Sequence, residues 1–303
     1  MIFFYSNQTG TTLYFKSLIK KKKDCFLFIK KNKFNLFKNE LNNKSIKNFS
    51  ELYLFYKKIN PKIFFISATR DKIEDKIIRL SKKLNFKVVS VIDYPTNLNI
   101  KKRFVGKTLN LLPDKIFVPD QFTLKKMVQI GYPLKKILVV GNPYLAEIKK
   151  IKKNNSKNKV LLLDQNFPNH DYLKHLKKLK KNLEDLHENF DFNIRRHPDN
   201  LKTLNEKKIF IKQLYKDNCK FLDSYSHVIG HSSTMMSIAL LKGLNVLSYN
   251  PFLKKDFNCP LFERGLIDEG KKIKDIINFL ILKKKTKKKR ILNSNINKKI
   301  FFI

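Results

Sequence analysis

HVIGHSSTMMSIALLKG, His227 to Gly243, passes from an apolar, strand-like tetrad into a run with helical residue types, and three hydroxyl side chains stand at the joint. "HVIG" leads in and Gly243 closes "MMSIALL", so Ser232, Ser233 and Thr234 fall at the start of a helix that follows a strand. A strand turning directly into a helix is the unit from which α/β folds are repeated. Backbone N–H groups are unpaired at a helix start and the helix dipole is positive there, so this joint can hold an anion. A single hydroxyl at that place also serves as an ordinary N-cap.

The same unit recurs outward in both directions. In the first half "MIFFYS", "CFLFIK", "KIFFISAT", "KVVSVID", "KIFVPD" and "KILVVG" read as strands. Between them "TLYFKSLIK", "FSELYLFYKKI", "DKIEDKIIRLSKKL" and "QFTLKKMVQIG" read as helices. Near-continuous apolar strands separated by helices imply a parallel sheet covered on both faces. The polar stretch "AEIKKIKKNNSKNK", 146–159, then interrupts the pattern and reads as a linker between domains 1–145 and 160–282. A second series follows, with strands "VLLLDQ", "FNIRRHP", "CKFLD", "HVIG" and "NVLSY" and helices "YLKHLKKLKKNLEDLHE", "EKKIFIKQLYKD" and "MMSIALLKG". "DEG", Asp268 to Gly270, reads as a turn. The fold class is therefore α/β with two doubly wound, Rossmann-like domains, and ligands are expected beyond the carboxyl ends of the strands.

The chain has 303 residues and a formal net charge of +40, from 65 Lys plus Arg against 25 Asp plus Glu. Such a charge ordinarily points to nucleic acid or to an anionic membrane surface. Here Lys, Asn, Ile and Phe are abundant while Trp is absent, the residue choice that AT-rich codons impose, so part of the charge reflects codon bias. No compact aromatic and basic motif of a nucleic-acid binder is present, and no specific nucleic-acid partner is expected. The lysine-rich end, 283–303, is either a solvated tail or a polybasic contact for anionic lipid. Cys25, Cys219 and Cys259 are odd in number and far apart, which fits reduced thiols in the cytoplasm. No run approaches a signal peptide or a transmembrane span, so the expected location is cytoplasmic, extending to the inner face of the membrane. The histidines and carboxylates show no metal-ligand spacing, and no cofactor is called for.

"FNIRRHPDN", Phe192 to Asn200, places Arg195, Arg196 and His197 at the end of a strand that Pro198 terminates. Two guanidiniums and an imidazole suit a nucleotide's phosphates, because Arg donates in a planar, bidentate manner. In a chain that uses Lys far more than Arg, the pair is harder to assign to codon bias, although a surface loop remains the plain reading. Gly10, in "SNQTGTT" after the first strand, permits close backbone approach or simply makes a turn. Asp93, after "KVVSVI", is either a general base at the mouth of the sheet or a cap for the turn before Pro95.

Two groups of segments together resemble GT-B glycosyltransferases of bacterial surface-polysaccharide synthesis, with their relatives among sialyltransferases, CDP-glycerol transferases and nonhydrolysing sugar epimerases. In the first half the resemblance is carried by Asp93, Tyr94, Asn97, Arg103, Phe104, Pro113, Asp114, Gly141, Asn142 and Pro143. In the second it is carried by "IRRHPD" and "HSSTMMSIALLKGLNVLSY", and it spans most of residues 61–250. It implies two domains facing across a cleft, lined by Gly10, Asn97 and Asn142, with a nucleotide-activated sugar held by the second domain and a glycan or lipid-linked acceptor by the first. It further implies that Arg195 and His197 contact donor phosphate and that Ser232, Ser233 and Thr234 seat it. Where many relatives carry a ribose-binding Glu this chain has Ile238, and Leu244–Asn245 replaces a frequent Lys-Pro. An epimerase or glycerophosphotransferase on the same scaffold, or a noncatalytic basic protein that binds nucleic acid, is the alternative.

Overall fold

The computed structural model describes residues 1–19, 24–30, 43–68, 71–93, 111–148, 158–165, 171–186, 189–215, 217, 219–252 and 259–281. Tyr94, Asn97, Arg103, Phe104 and the basic end 283–303 lie outside the described residues. The chain divides into two compact units, one covering Met1–Ala146 and one beginning at Glu147.

Unit one contains β1 (Ile2–Ser6), α1 (Thr9–Ile19), β2 (Cys25–Lys30), β3 (Asn43–Ile46), α2 (Phe49–Ile59), β4 (Ile63–Ser67) and α3 (Lys72–Leu84). It continues with β5 (Lys87–Val91), β6 (Lys115–Val118), α4 (Gln121–Gln129), β7 (Ile137–Val139) and α5 (Pro143–Ala146). The strands form one sheet in the order β3-β2-β1-β4-β5-β6-β7, with every pair parallel. Much of the chain's phenylalanine goes into this sheet. Phe4 and Phe65 are register partners whose rings stack 4.8 Å apart, and Phe3 packs on Phe28 and Phe64 at 4.8 and 5.1 Å. Such offset and edge-on pairs add to the gain from burial alone. Asn48, Asp71 and Asp120 accept first-turn N–H groups and so start α2, α3 and α4.

Unit two contains β8 (Lys159–Leu163), α6 (Tyr172–Leu186), β9 (Asp191–Arg195), α7 (Leu204–Tyr215), β10 (His227–Gly230), α8 (Thr234–Lys242) and β11 (Asn245–Tyr249). It closes with α9 (Pro260–Glu263), β12 (Asp268–Gly270) and α10 (Ile273–Ile281). The parallel order is β12-β11-β10-β8-β9. Val160, Leu162, Phe192, Ile229 and Leu247 bury one face of this sheet against Leu176, Leu179 and Leu183 of α6 and Ile276 and Leu280 of α10. Helix α8 ends where Gly243 takes φ 91°, a left-handed conformation that a side chain would strain.

Two segments differ from their sequence reading. "CKFLD" forms no strand: Cys219 is left-handed at φ 55° and Lys220–Ser224 coil into a 3-10 turn that buries Leu222. "DEG" is no turn: it is the edge strand β12, paired with Leu247–Tyr249 of β11. In both cases position beside the sheet, rather than local propensity, selects the conformation. Residues 43–46, 143–146 and 260–263 form short elements without a periodic signal in the sequence, whereas 273–281 is a helix whose Ile273, Ile276, Ile277 and Leu280 do stand at helical spacing.

Histidine burial makes unit two acid-sensitive. His227 Nδ1 lies 2.8 Å from Ser226 Oγ, which itself donates to the Lys159 carbonyl, and Asn245 Nδ2 lies 3.2 Å from Nε2. This arrangement suits the neutral ring, and burial lowers the pKa of both His227 and His231 from 6.5 to about 4. Between those values the unfolded chain binds protons that the native protein does not, so stability is full above pH 6.5 and falls as pH drops toward 4. A loss on the order of 2 kcal/mol per histidine is expected between pH 7 and 5. Thermal melts followed by circular dichroism across that range should shift downward, and less so in His227→Gln; a flat wild-type profile would contradict the assignment.

Candidate functional site

Strand order reverses between β8 and β10 in unit two, and the chain leaves the sheet on both sides of that point. Open α/β sheets bind ligands at such reversals. The residues beyond the tips of β8, β9 and β10 are tied together through the middle strand. Asp164, buried just past β8, donates its N–H to the Arg195 carbonyl at 2.9 Å. Its Oδ2 accepts from the His197 N–H at 3.1 Å and from Asn200 Nδ2 at 2.8 Å, and Oδ1 accepts from Gln165 N at 2.8 Å. On the other side Gln165 Oε1 accepts from the Ser232 N–H at 3.3 Å. The Arg-Arg-His loop and the hydroxyl-rich joint thus occupy one edge of one sheet. With strands spaced about 4.8 Å, their backbones stand roughly 10 Å apart.

The candidate side chains divide by what already engages them. Ser233 is the N-cap of α8, its Oγ accepting from Met235 N at 3.2 Å. Thr234 is the half-exposed first residue of the helix. Ser232 Oγ is buried and has no hydrogen-bond partner among the described residues. Arg196 turns back and donates from Nη2 to the Asn200 carbonyl, so it closes its own loop. Arg195 lies between two aromatic rings, its guanidinium carbon 4.3 Å from the Phe210 centroid and 4.0 Å from that of Phe221. Its Nε and Nη2 are shielded from solvent and have no partner among the described residues. Burial brings its pKa from 12.5 down to about 10. A part-buried cation with no counter-ion among the described residues carries a desolvation cost that a bound anion offsets.

Asp164, Gln165, Phe210 and Phe221 do not stand out in the sequence. Asp164 was within reach of the rule that residues just past strands matter, because it directly follows "VLLL". The two phenylalanines were not, since one sits on a helix and the other on the 3-10 turn that reads as a strand. Ile238 is in the core at 1% exposure and offers no polar group to a ligand. At the tip of β11, Asn250 is buried with Nδ2 3.4 Å from Glu269 Oε2 and with Oδ1 lacking a partner among the described residues.

Unit one carries two polar groupings at the carboxyl edge of its own sheet. In the first, Asn142 donates from Nδ2 to the Asp93 carbonyl at 2.9 Å while its Oδ1 caps α5 through Tyr144 N and Leu145 N. A Cβ at Gly10 would overlap the Asp93 carboxylate, so this glycine permits the close approach of Asp93 to the first turn of α1. Buried Tyr14 feels the same carboxylate: burial first, and then Asp93, push its pKa up. The sequence-derived set Gly10, Asp93 and Asn142 is therefore one cluster.

The second grouping lies at the β1/β4 reversal and is not evident from sequence. Asp71 Oδ2 accepts from Tyr5 Oη at 2.8 Å, Asn7 Nδ2 at 3.0 Å and Lys30 Nζ at 2.9 Å, and Oδ1 accepts from Ile73 N at 3.0 Å. Burial raises the pKa of Asp71, but the bonds from Ile73, Lys30 and Tyr5 outweigh it and the net shift is downward. Asp71→Ala removes a cap and leaves several donors unmatched, at about 3 kcal/mol. The melting temperature should fall by roughly 10 °C; a change within error would show that solvent already satisfies these groups.

No protein-family model and no curated protein sequence matches this chain. Solved structures do match. The UDP-GlcNAc 2-epimerase from Neisseria meningitidis, bound to UDP-GlcNAc, superposes at TM-score 0.62 and 14% identity, over 92% of this chain and 90% of that one. The lipopolysaccharide outer core galactosyltransferase WaaB gives 0.52 at 12% identity, over 92% and 88%. The wall teichoic acid polymerase TagF, as its H444N variant, gives 0.58 at 11% identity, over 94% and 80%. At such identities the likeness establishes the fold: two Rossmann-like α/β units of the GT-B kind.

Proposed function

We propose that this chain is a glycosyltransferase that moves a sugar from a nucleotide-activated donor to a surface-polysaccharide or lipid-linked glycan acceptor. The observation that carries the reading is the part-buried Arg195 guanidinium against Phe210 and Phe221, with Nε and Nη2 unmatched among the described residues, on the same sheet edge as the start of α8. A donor's phosphate supplies the missing anion. His197 and Thr234 border the same seat, Ser232 Oγ donates into it, and Ser233 holds the first turn of α8 open toward it. Arg196 contributes by fixing the loop.

When the sugar–oxygen bond breaks, negative charge grows on the departing nucleotide's phosphate. Fixed donors aimed at that charge lower the barrier without having to reorganise. Asp93 takes the proton from the acceptor hydroxyl, and Gly10 and Asn142 hold Asp93 in place. Asn250 Oδ1, an acceptor without a donor among the described residues, suits a hydroxyl of the nucleoside in place of the side chain that Ile238 lacks. The domain limits implied by this reading are 1–145 and 160–282, with the protein working at the cytoplasmic face of the membrane.

The likeness to UDP-GlcNAc 2-epimerases supports a second reading, isomerisation of the nucleotide sugar itself. Incubation with UDP-, CMP- and GDP-sugars, with and without oligosaccharide acceptors, separates the two. A transferase releases nucleotide only when acceptor is present and adds mass to the acceptor. An epimerase changes the sugar's proton spectrum with no acceptor and no transfer, and that outcome would replace the proposal.

A further inference from the structure

The amino-terminal edge of the unit one sheet carries a cluster of lysines. Lys62 directly precedes β4, Lys87 opens β5, Lys115 opens β6 and Lys136 directly precedes β7. These four strands are consecutive neighbours in the sheet. Register pairs Ile63 with Lys87 and Ile116 with Ile137, which sets Lys115 beside Lys136. Val89 pairs with Lys115, so Lys115 and Lys136 sit two residues further along the strands than Lys87, and the four lysines form a staggered cluster of positive charge at this edge.

The cluster is held in place, and cations outnumber acids among the described residues around it. Lys136 Nζ donates to the Pro113 carbonyl at 2.7 Å and Lys115 Nζ to the Lys135 carbonyl at 3.0 Å. Among the described residues Asp114 stands within this stretch, its Oδ2 accepting from the Val88 N–H at 2.7 Å, and Asp24 stands further along the same edge, before β2. Burial lowers the pKa of Lys136, and the nearby charges of Lys82, Lys135 and Lys115 lower it further against the pull of Asp114. Large apolar side chains stand among these cations. Leu134, on the turn before β7, is 60% exposed, and Leu84, at the end of α3 beside Lys82 and Lys83, is 43% exposed.

We infer that this edge docks on an anionic lipid surface, with the lysines over the headgroups and Leu134 and Leu84 entering the interface. Charge and apolar side chains acting together are what a lipid interface rewards, because each signal alone binds weakly. A nucleic acid would use the charge but leave exposed leucines unsatisfied. The contact does not depend on the proposed transferase activity. It lies at the opposite end of the strands from Gly10 and Asp93, so docking leaves that end open.

The test is co-sedimentation of the full chain with phosphatidylcholine vesicles, with and without phosphatidylglycerol. Binding should require the anionic lipid. Lys82→Gln/Lys87→Gln/Lys135→Gln removes three exposed charges from the edge and should weaken binding by about a hundredfold, at roughly fivefold per lysine. Lys174→Gln/Lys177→Gln/Lys178→Gln removes three from the exposed face of α6 and should change it much less. Leu134→Ser should weaken the binding that survives at high salt, and melting temperatures check that each variant is folded. Equal losses in the two triple variants, no loss in the first, or tighter binding to an RNA oligonucleotide than to the vesicles would overturn the inference.

Discussion

Arg195→Met is expected to abolish the stabilisation that a nucleotide gives this protein while leaving the unliganded fold intact. In the native structure the guanidinium packs on Phe210 and Phe221 with Nε and Nη2 unmatched among the described residues, so the unliganded protein bears the cost of a part-buried charge. Methionine fills a similar space and packs well against aromatic rings, which replaces the stacking without the charge. The apo melting temperature should therefore hold or rise. A ligand at a hundred times its dissociation constant stabilises a protein by about 2.7 kcal/mol. Loss of charged hydrogen bonds worth about 1.5–3 kcal/mol weakens affinity some 10- to 100-fold and erases from about half to nearly all of that shift. Arg196→Met should act differently, through loosening of the loop that its bond to Asn200 closes. An undiminished nucleotide shift in Arg195→Met would remove the residue from the donor seat and leave it as a packing element.

Asp93→Asn is expected to cut turnover by about 10²- to 10⁴-fold, the range over which a positioned base acts. Nucleotide affinity should stay within about twofold, since the phosphate seat is built from unit two and its donors are untouched. The replacement keeps the shape of the side chain against Gly10 and the backbone bond from Asn142, so structure is not the expected casualty. Measuring kcat and nucleotide binding on the same preparation separates the roles. Full turnover in Asp93→Asn would return the residue to the plain alternative, a cap at the turn that follows β5.

What was legible in the sequence follows from which forces act locally. The strands β1, β2, β4, β5, β6 and β7 are apolar runs because both faces of a parallel sheet are covered, and such runs need no partner to be recognised. The hydroxyl joint at Ser232–Thr234 was legible because capping is a local interaction. "CKFLD" misled because its composition suits a strand, while the left-handed Cys219 and the seat of Leu222 depend on the rest of the unit. β12 went unseen because a three-residue edge strand is defined by its neighbour β11. In the candidate site, Arg195 was visible but its setting was not. Phe210 and Phe221 reach it from segments that no spacing rule joins to "IRRHP". Asp71 likewise gathers Tyr5 and Asn7 from the end of β1 and Lys30 from the end of β2, both distant in sequence.

The central claim is that an anionic nucleotide binds where the Arg195–His197 loop meets the start of α8. Amide hydrogen exchange with and without UDP, with CMP, CDP and GDP in parallel, addresses it directly. One of these nucleotides should slow exchange at two separated segments together, the loop from Arg195 to Asn200 and the joint from Ser232 to Met236. Protection of only one of them, or protection confined to unit one, would contradict the claim.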